Sequence, residues 1–245
     1  MSQSLKQTIK QSGFLLGCVR TGRAAIMDAK RLVWTLQRGS KINAYLKANS
    51  VRKLQIGTSK TAFADWLNTD IEVERSEVAY MDATRPFPLP DTSFDYIACE
   101  HMIEHIPYEG AQAMLSECYR VLKPGGKIRV ATPDLQVIAR LCDPQPTAEA
   151  KKYVDWIVER LMPEVKACPG VFVLNNAFRA WGHQFLYDAA TLKMTLQKAG
   201  FADCQDYRPG SSDDPNLRGI ESHGKTIGNE DINQFECMVV EARKK

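Results

Sequence analysis

From Val51 onward the sequence alternates between short apolar runs, turn residues and stretches of good helix formers. Short apolar runs bounded by turn residues are typical of buried parallel strands. Strands that alternate with helical stretches indicate a parallel sheet with helices on both faces. We therefore predict a doubly wound, mostly parallel seven-stranded α/β domain over residues 51–245, preceded by a helical appendage over residues 1–50.

Seven segments are predicted to form the strands: 53–56, 66–70, 78–81, 94–99, 127–132, 202–207 and 235–242. A helix is expected over 111–122, where Lys-Pro-Gly-Gly at 123–126 should end it. Asp188 is expected to cap a later helix that ends at Gly200. The irregular region around 135–185, with helical candidates at 135–141 and 147–161, is interpreted as an insertion that covers the ligand side.

The charge of the chain is concentrated in its first 50 residues. They contain nine Lys or Arg against the single acid Asp28, a balance of +8, so the remaining residues carry −5 of the net +3. Apolar residues at helical spacing predict that this appendage packs on the main domain. Its basic charge favours contact with an anionic membrane surface or a partner protein, or else a face exposed to solvent. The small net charge gives no reason to expect nucleic acid.

The seven cysteines are scattered and show neither C-x-x-C spacing nor a disulfide framework. Reduced thiols fit a cytoplasmic protein. No apolar run approaches the roughly 20 residues that cross a bilayer. We therefore expect a cytoplasmic location, with peripheral contact at the inner face of the membrane as the alternative.

Polar residues stand at the ends of the first five predicted strands. In open α/β sheets ligands bind outside these carboxyl ends. A nucleoside cofactor needs a carboxylate for its ribose hydroxyls, a compact backbone turn and a polar group near adenine, and Asp70, Gly57 and Asp82 supply that set. The complete group of strand-end residues is Gly57, Thr58, Ser59, Lys60, Asp70, Asp82, Glu100, His101, Pro133 and Asp134.

The segment 82–126 resembles the class I S-adenosylmethionine-dependent methyltransferases. The resemblance lies in Asp82-Ala83, in Pro-Phe-Pro-Leu-Pro-Asp-Thr-Ser-Phe-Asp at 86–95, in Glu-His-Met-Ile-Glu-His-Ile at 100–106, and in Arg-Val-Leu-Lys-Pro-Gly-Gly at 120–126. It implies a Rossmann-like methyltransferase fold with S-adenosylmethionine as cofactor.

The same resemblance implies roles for individual residues. Gly57, Thr58 and Ser59 would approach the methionine portion of the cofactor, and Asp70 would hold the ribose hydroxyls. Asp82 and the Ala83 backbone would lie beside the adenine, and Glu100 and His101 would line the sulfonium side. The first loop departs from the usual G-x-G, because Gly57 is followed by Thr58-Ser59-Lys60. A second hypothesis is therefore a non-catalytic scaffold whose loop no longer binds cofactor.

Three further segments resemble a bacterial subgroup associated with cell-surface polysaccharide synthesis. They are 66–70, 183–201 and 211–221. This resemblance implies a glycan or other small-molecule acceptor, methylated on a sugar hydroxyl. The best candidates for the general base are His183, His105 and Asp134, since each should lie near the strand ends. We favour His183.

The spacing His101-x-x-Glu104-His105 also matches the H-x-x-E-H pattern of inverted zinc peptidases. Here it directly follows a predicted buried strand, and methyl transfer requires no metal there, so no metal ligand is predicted. His223, within a glycine-rich stretch, is expected to be an exposed loop residue that orders over a ligand.

Overall fold

A single seven-stranded sheet organises the computed structural model, which describes residues 13–167 and 169–245. The strands are β1 (Lys53–Ile56), β2 (Leu67–Asp70), β3 (Ala79–Tyr80), β4 (Phe94–Glu100), β5 (Leu122–Pro133), β6 (Ala202–Tyr207) and β7 (Cys237–Arg243). Their order is β3-β2-β1-β4-β5-β7-β6. Strands β1 to β5 pair in parallel, whereas β7 is antiparallel to both neighbours. The predicted doubly wound fold is confirmed.

The described α-helices are α1 (Gly13–Ala48), α2 (Tyr108–Val121), α3 (Leu135–Ala139), α4 (Ala148–Leu161), α5 (Pro169–Arg179), α6 (Ala189–Lys198), α7 (His223–Ile227) and α8 (Glu230–Glu236), with 3-10 turns at Ile103–His105 and Arg140–Cys142. Side-chain caps explain two starts, because Thr147 accepts from the Ala150 amide and Asp188 from the Thr191 amide. Helices α5, α7 and α8 were not predicted. Helices α7 and α8 are short, and α5 begins with a Pro-Gly pair, which is typical of a turn.

The prediction that residues 123–126 lie outside the strands was wrong. Strand β5 begins at Leu122 and includes them. The Gly125 amide donates to the Lys244 carbonyl at 2.8 Å, and the Lys244 amide donates to the Gly126 carbonyl at 2.9 Å. The pairing with β4 shifts register between Phe94 and Tyr96. The glycines therefore form an irregularity within the sheet, because the end of the chain supplies hydrogen-bond partners that local sequence does not indicate.

No helix occurs in the described segment 57–66 between parallel strands β1 and β2. Buried polar side chains hold this connection instead. Gln55 Nε2 donates to the Thr61 carbonyl at 2.9 Å, and Asn68 Oδ1 accepts from the Phe63 amide at 2.9 Å. The loop that starts at Gly57 is therefore fixed by strand side chains.

Helix α1 packs on the domain only in part. Ile42 is buried, the Tyr45 hydroxyl donates to the Lys53 carbonyl at 2.9 Å, and Lys41 Nζ donates to the Val78 carbonyl at 2.8 Å. The expectation that its other apolar residues are also packed was wrong: Ile26, Leu32, Val33 and Leu36 are between 50% and 76% exposed. Lys6 and Lys10 lie outside the described residues.

The region 135–185 builds a second apolar core beside the sheet. Residues of α3, α4 and α5 form it together with Ile232 of α8. Tyr153 is buried there and donates to Glu236 Oε2 at 2.5 Å. This core holds the insertion over the carboxyl ends of the strands, next to the cavity described below.

A buried charged cluster lies on the other side of β5. Arg129 is 1% exposed, and its guanidinium contacts the carboxylates of Glu221 and Glu241, each 6% exposed. Arg129 Nη1 also donates to the Ser211 carbonyl at 2.8 Å. We call these residues the Arg129 cluster. It fastens the segment around 211–221 to strands β5 and β7.

The five cysteines with described side chains are free: Cys99, Cys118, Cys142, Cys204 and Cys237. Cys168 lies outside the described residues, as does the side chain of Cys18. Among the helices that the structure describes, none has the length and apolar character to span a membrane.

Candidate active site

A cavity of about 480 Å³ lies at the carboxyl ends of β1, β4 and β5. It is bounded by the first loop, by the insertion helix α4 and by α7. This is the place where ligands bind in open α/β sheets. The predicted site residues that line it are Gly57, Thr58, Ser59, Glu100, His101, His105 and His183.

In the loop after β1, Gly57 allows another group to approach the backbone closely, although the residues that follow it have larger side chains. Gly57 has a positive φ of 74°, a conformation that favours glycine, and the Met102 side chain fills the space where a Cβ would lie. Thr58 is 2% exposed, and its hydroxyl donates to the Thr69 carbonyl at 3.2 Å. The threonine is thus held against β2.

Asp70 lies directly beside this loop. Its Oδ2 accepts from the Ser59 amide at 2.7 Å, and its Oδ1 accepts from the Glu72 amide at 3.0 Å. Each carboxylate oxygen therefore keeps a lone pair for a further donor. Asp70 is not among the residues that line the cavity, but it borders the loop that does.

Asp82 and Ala83 follow the neighbouring strand β3, and the Met81 amide donates to the Asp70 carbonyl at 2.9 Å. Asp82 Oδ1 accepts from both the amide and the hydroxyl of Thr84. Asp82 lines a separate cavity of about 370 Å³, next to Arg31 and Arg38 of α1, and Ala83 packs against the main core. The ends of β2 and β3 thus lie side by side, but Asp82 lines a different cavity from the one that Gly57 lines.

The Asp134 side chain is not placed to act as the general base that was predicted. Its Oδ1 accepts from the Gln136 amide at 2.8 Å and caps α3. The Asp134 amide donates to the Glu236 carbonyl, and Asp134 is not among the cavity-lining residues. A residue that follows a strand directly often starts the next helix, and here that local role uses the carboxylate.

The Glu100 carboxylate accepts hydrogen bonds from other residues of the chain. Its two carboxylate oxygens accept from the Ser222 amide at 2.8 Å, the Ser222 hydroxyl at 2.9 Å and the His223 amide at 2.8 Å. His223 was predicted to be an exposed loop residue. It is half-buried at the start of α7, and its ring stacks on His101 with the centroids 3.7 Å apart. The carboxylate of Glu100 explains this position, because it fixes the backbone of α7.

His101 and Glu104 form a buried ionic pair at the floor of the cavity. His101 Nδ1 lies 3.4 Å from Glu104 Oε1, and Glu104 is fully buried. Burial alone disfavours both charges, but the contacts of His101 with Cys237 and Glu104 raise its pKa well above the ordinary value. Burial likewise opposes ionisation of Glu104, yet the neighbouring ring of His101 lowers the pKa of the carboxyl. Both groups are therefore charged near neutral pH.

His105 and His183 lie together beside this pair. Their ring centroids are 4.9 Å apart in an edge-to-face arrangement. His183 Nδ1 lies 2.6 Å from the Ala177 carbonyl, which only an N–H at that nitrogen satisfies, so Nε2 carries the lone pair. Burial lowers the pKa of His183, which keeps its ring neutral at pH 7.

Several residues of the cavity were not predicted from the sequence. Trp156 and Arg160 line it from the insertion, and Glu236 lines it from the end of α8. Arg160 lies over the Trp156 ring at 4.6 Å. Their positions depend on how the second core packs on the sheet, so the local sequence carries no signal for them.

Comparison with known proteins relates the central strands of the chain to methyltransferases. A family described as Methyltransferase domain matches residues 42–130. A demethylmenaquinone methyltransferase of Clavibacter sepedonicus is 30% identical over 138 residues, which are 54% of this chain and 49% of the relative. A ubiquinone biosynthesis O-methyltransferase of Pseudomonas putida is 29% identical over 89 residues, 36% of each chain. The chain thus spans half or less of the length of these relatives.

A crystal structure of a SAM dependent methyltransferase from Archaeoglobus fulgidus is also similar. It covers 87% of this chain and 93% of its own, with 18% sequence identity and a TM-score of 0.48. Over residues 42–130, from the end of α1 to the middle of β5, the chain is similar to a methyltransferase domain.

Proposed function

We propose that this protein is a methyltransferase that uses S-adenosylmethionine. The observation that carries the proposal is the contact between the first loop and the carboxylate at the end of β2: the Ser59 amide donates to Asp70 Oδ2 at 2.7 Å, beside the 480 Å³ cavity. A nucleoside needs this combination of compact backbone and neighbouring carboxylate. The match of residues 42–130 to a methyltransferase domain supports the same activity.

The departure of the first loop from G-x-G does not exclude the cofactor. Thr58 is buried and its hydroxyl donates to the Thr69 carbonyl, which turns this end of the side chain toward β2. Asp70 would accept hydrogen bonds from the ribose hydroxyls. Asp82 and the Ala83 backbone would hold the adenine, and Glu100 and His101 would border the sulfonium end.

The cofactor supplies the methyl group as a sulfonium, and the chain positions an acceptor in line with it. For a hydroxyl acceptor, a general base accelerates the transfer. His183 is the best candidate, because its free Nε2 and its neutral ring suit it to take up the hydroxyl proton. His105 lies next to it, whereas Asp134 has its side chain engaged in the cap of α3.

For the acceptor we propose a hydroxyl of a sugar or polysaccharide precursor, as the resemblance to the polysaccharide-associated subgroup implies. Trp156 and Trp181 line the cavity and supply aromatic surface against which such a ring could pack. The names of two relatives indicate quinone precursors as the alternative. Transfer of a radioactive methyl group to nucleotide sugars and to demethylated quinone precursors, in parallel reactions, separates the two acceptor classes.

Calorimetry with S-adenosylhomocysteine tests the proposed cofactor directly. We expect micromolar binding that is lost in Asp70→Ala. Asp203→Ala is the matched control, because Asp203 forms an exposed ion pair with Arg243 on β6 and β7. Absence of binding at millimolar ligand would support the scaffold hypothesis instead.

We also propose that α1 contacts an anionic membrane surface. Exposed apolar residues in its middle, among them Ile26, Val33 and Leu36, accompany the +8 balance of residues 1–50. Co-sedimentation should detect binding to phosphatidylserine vesicles and little binding to phosphatidylcholine vesicles. If the protein bound neither kind of vesicle but captured a single protein partner, α1 would be assigned to protein contact instead.

A further inference from the structure

All four histidines of the chain line the same cavity. They form two pairs: His101 stacks on His223, and His105 meets His183 edge to face. The buried Glu104 lies between the pairs, in contact with His101 and close to His105 and His183. Methyl transfer to a hydroxyl would need only one of these groups as the proton acceptor. The convergence of the others calls for a separate explanation.

We propose that Glu104, His105 and His183 bind a divalent transition-metal ion at the floor of the cavity. One ligand atom from each residue lies within 4.8 Å of the other two. Ligand atoms around tetrahedral zinc, at about 2.0–2.1 Å from the ion, are about 3.4 Å apart. Small rotations of the half-buried histidine rings would therefore complete the site.

The outer contacts of this trio are those that metal ligands commonly have. His183 Nδ1 donates to the Ala177 carbonyl at 2.6 Å, which directs the lone pair of Nε2 away from that carbonyl. Glu104 Oε2 accepts from the fully buried Thr132 hydroxyl at 2.9 Å. Metal-binding histidines and carboxylates are oriented by hydrogen bonds of this kind. These hydrogen bonds limit how far the His183 ring and the Glu104 carboxylate can turn, so only small rotations are needed to bind an ion.

An unsatisfied atom points to a ligand. Glu104 Oε1 is fully buried and accepts no hydrogen bond within the described chain, although His101 Nδ1 lies 3.4 Å away. A buried carboxylate oxygen without a hydrogen-bond donor is costly, and a metal ion bound to it would fill the place that the more distant His101 leaves open.

The donor set indicates which ions would fit. Two imidazoles and one carboxylate are ligands for zinc, iron and other transition metals, whereas magnesium prefers oxygen donors alone. Three protein ligands leave at least one coordination position for water or a substrate oxygen. That position would face the cavity, where an acceptor hydroxyl would be polarised.

This set differs from the H-x-x-E-H pattern in the sequence. In that pattern the first and last histidines would bind the ion from one helix. Here Ile103–His105 is a single 3-10 turn, and His101 stacks on His223. His183, 78 residues beyond His105, supplies the third ligand instead. With an ion bound, Nε2 of His183 would no longer be free to act as a general base, so activity alone cannot test the proposal.

Metal binding to the full chain, measured without cofactor, tests the inference independently of the proposed function. The protein is stripped with a chelator and then titrated with Zn²⁺ against a colorimetric chelator, and with Co²⁺ by visible absorption. We expect one ion per chain and a cobalt spectrum typical of low coordination number. His183→Gln and Glu104→Gln should each weaken binding at least about tenfold.

The matched control is His223→Gln, because His223 is a histidine of the same cavity outside the trio. Its affinity for Zn²⁺ should stay within about threefold of the wild type. His105→Gln provides a third ligand variant if buried Glu104→Gln does not fold, which circular dichroism would show. Absence of stoichiometric binding, or an equal loss in His223→Gln, would overturn the metal site and leave the proposed methyl transfer untouched.

Discussion

Two clusters of buried charge contact β5 and differ in the space beside them. In the Arg129 cluster, one guanidinium contacts two carboxylates and a backbone carbonyl. At the cavity floor, Glu104 Oε1 accepts no hydrogen bond from the described residues, and His183 Nε2 carries an unused lone pair. In the first cluster Arg129 Nη2 is likewise without a hydrogen-bond partner, but Arg129 and Glu221 border a cavity of only about 10 Å³. The second is incomplete and borders an open space, as a binding site requires.

The largest effect should follow from breaking the Arg129 cluster. Arg129→Met leaves the carboxylates of Glu221 and Glu241 buried without a cation. We expect the free energy of unfolding to fall by about 3–5 kcal/mol, measured by urea denaturation.

Arg243→Met is the control for this change. Arg243 pairs with Asp203, and both side chains are 51% exposed. An exposed ion pair contributes less than about 1 kcal/mol. Similar losses in the two variants would contradict the distinction between a buried and an exposed charge.

A smaller effect should follow from removing one donor to the incomplete cluster. Thr132→Val keeps the shape of the side chain but removes the hydroxyl that donates to Glu104 Oε2. A lost hydrogen bond to a buried charged group should lower the free energy of unfolding by about 1–3 kcal/mol.

Thr195→Val sharpens this comparison. Thr195 is equally buried, and its hydroxyl donates to the neutral Thr191 carbonyl at 2.7 Å. That change should cost about 0.5–1.5 kcal/mol. If Thr195→Val proved the more damaging, Glu104 would not carry the charge that its lowered pKa indicates.

The smallest effect concerns pH. Because burial lowers the pKa of His183, the unfolded chain binds a proton at this residue at a higher pH than the folded chain does. The unfolded state therefore gains protons first as pH falls through about 6.5, and stability decreases. Urea denaturation of the wild type and of His183→Gln at pH 7.5 and pH 5.5 should show a smaller decrease in the variant. Equal decreases would refute a neutral, buried His183.

The sequence predicted the sheet well because its strands are short apolar runs that end at polar residues. The same feature located Gly57, Glu100 and His101 at the cavity, since carboxyl ends of parallel strands meet at one edge. It failed for Asp134, because a helix begins directly after β5 and uses the side chain as a cap.

Contacts between distant segments could not be predicted in this way. No spacing relates Glu104 to His183 or Arg129 to Glu221, since each pair is joined only when the insertion or the segment around 211–221 packs on the sheet. The expectation that no metal binds considered only residues 101–105, which directly follow a predicted buried strand and where methyl transfer requires no metal. It did not include the residue that lies beside Glu104 and His105 in three dimensions.

The three hydrogen bonds that Glu100 accepts from Ser222 and His223 should affect how ligands enter and leave the cavity. They tether one wall, α7, to the central sheet through a single carboxylate. Any outward movement of that wall would require these three bonds to break. We therefore expect the residence time of any occupant to depend on a side chain of β4 as much as on the occupant's own contacts.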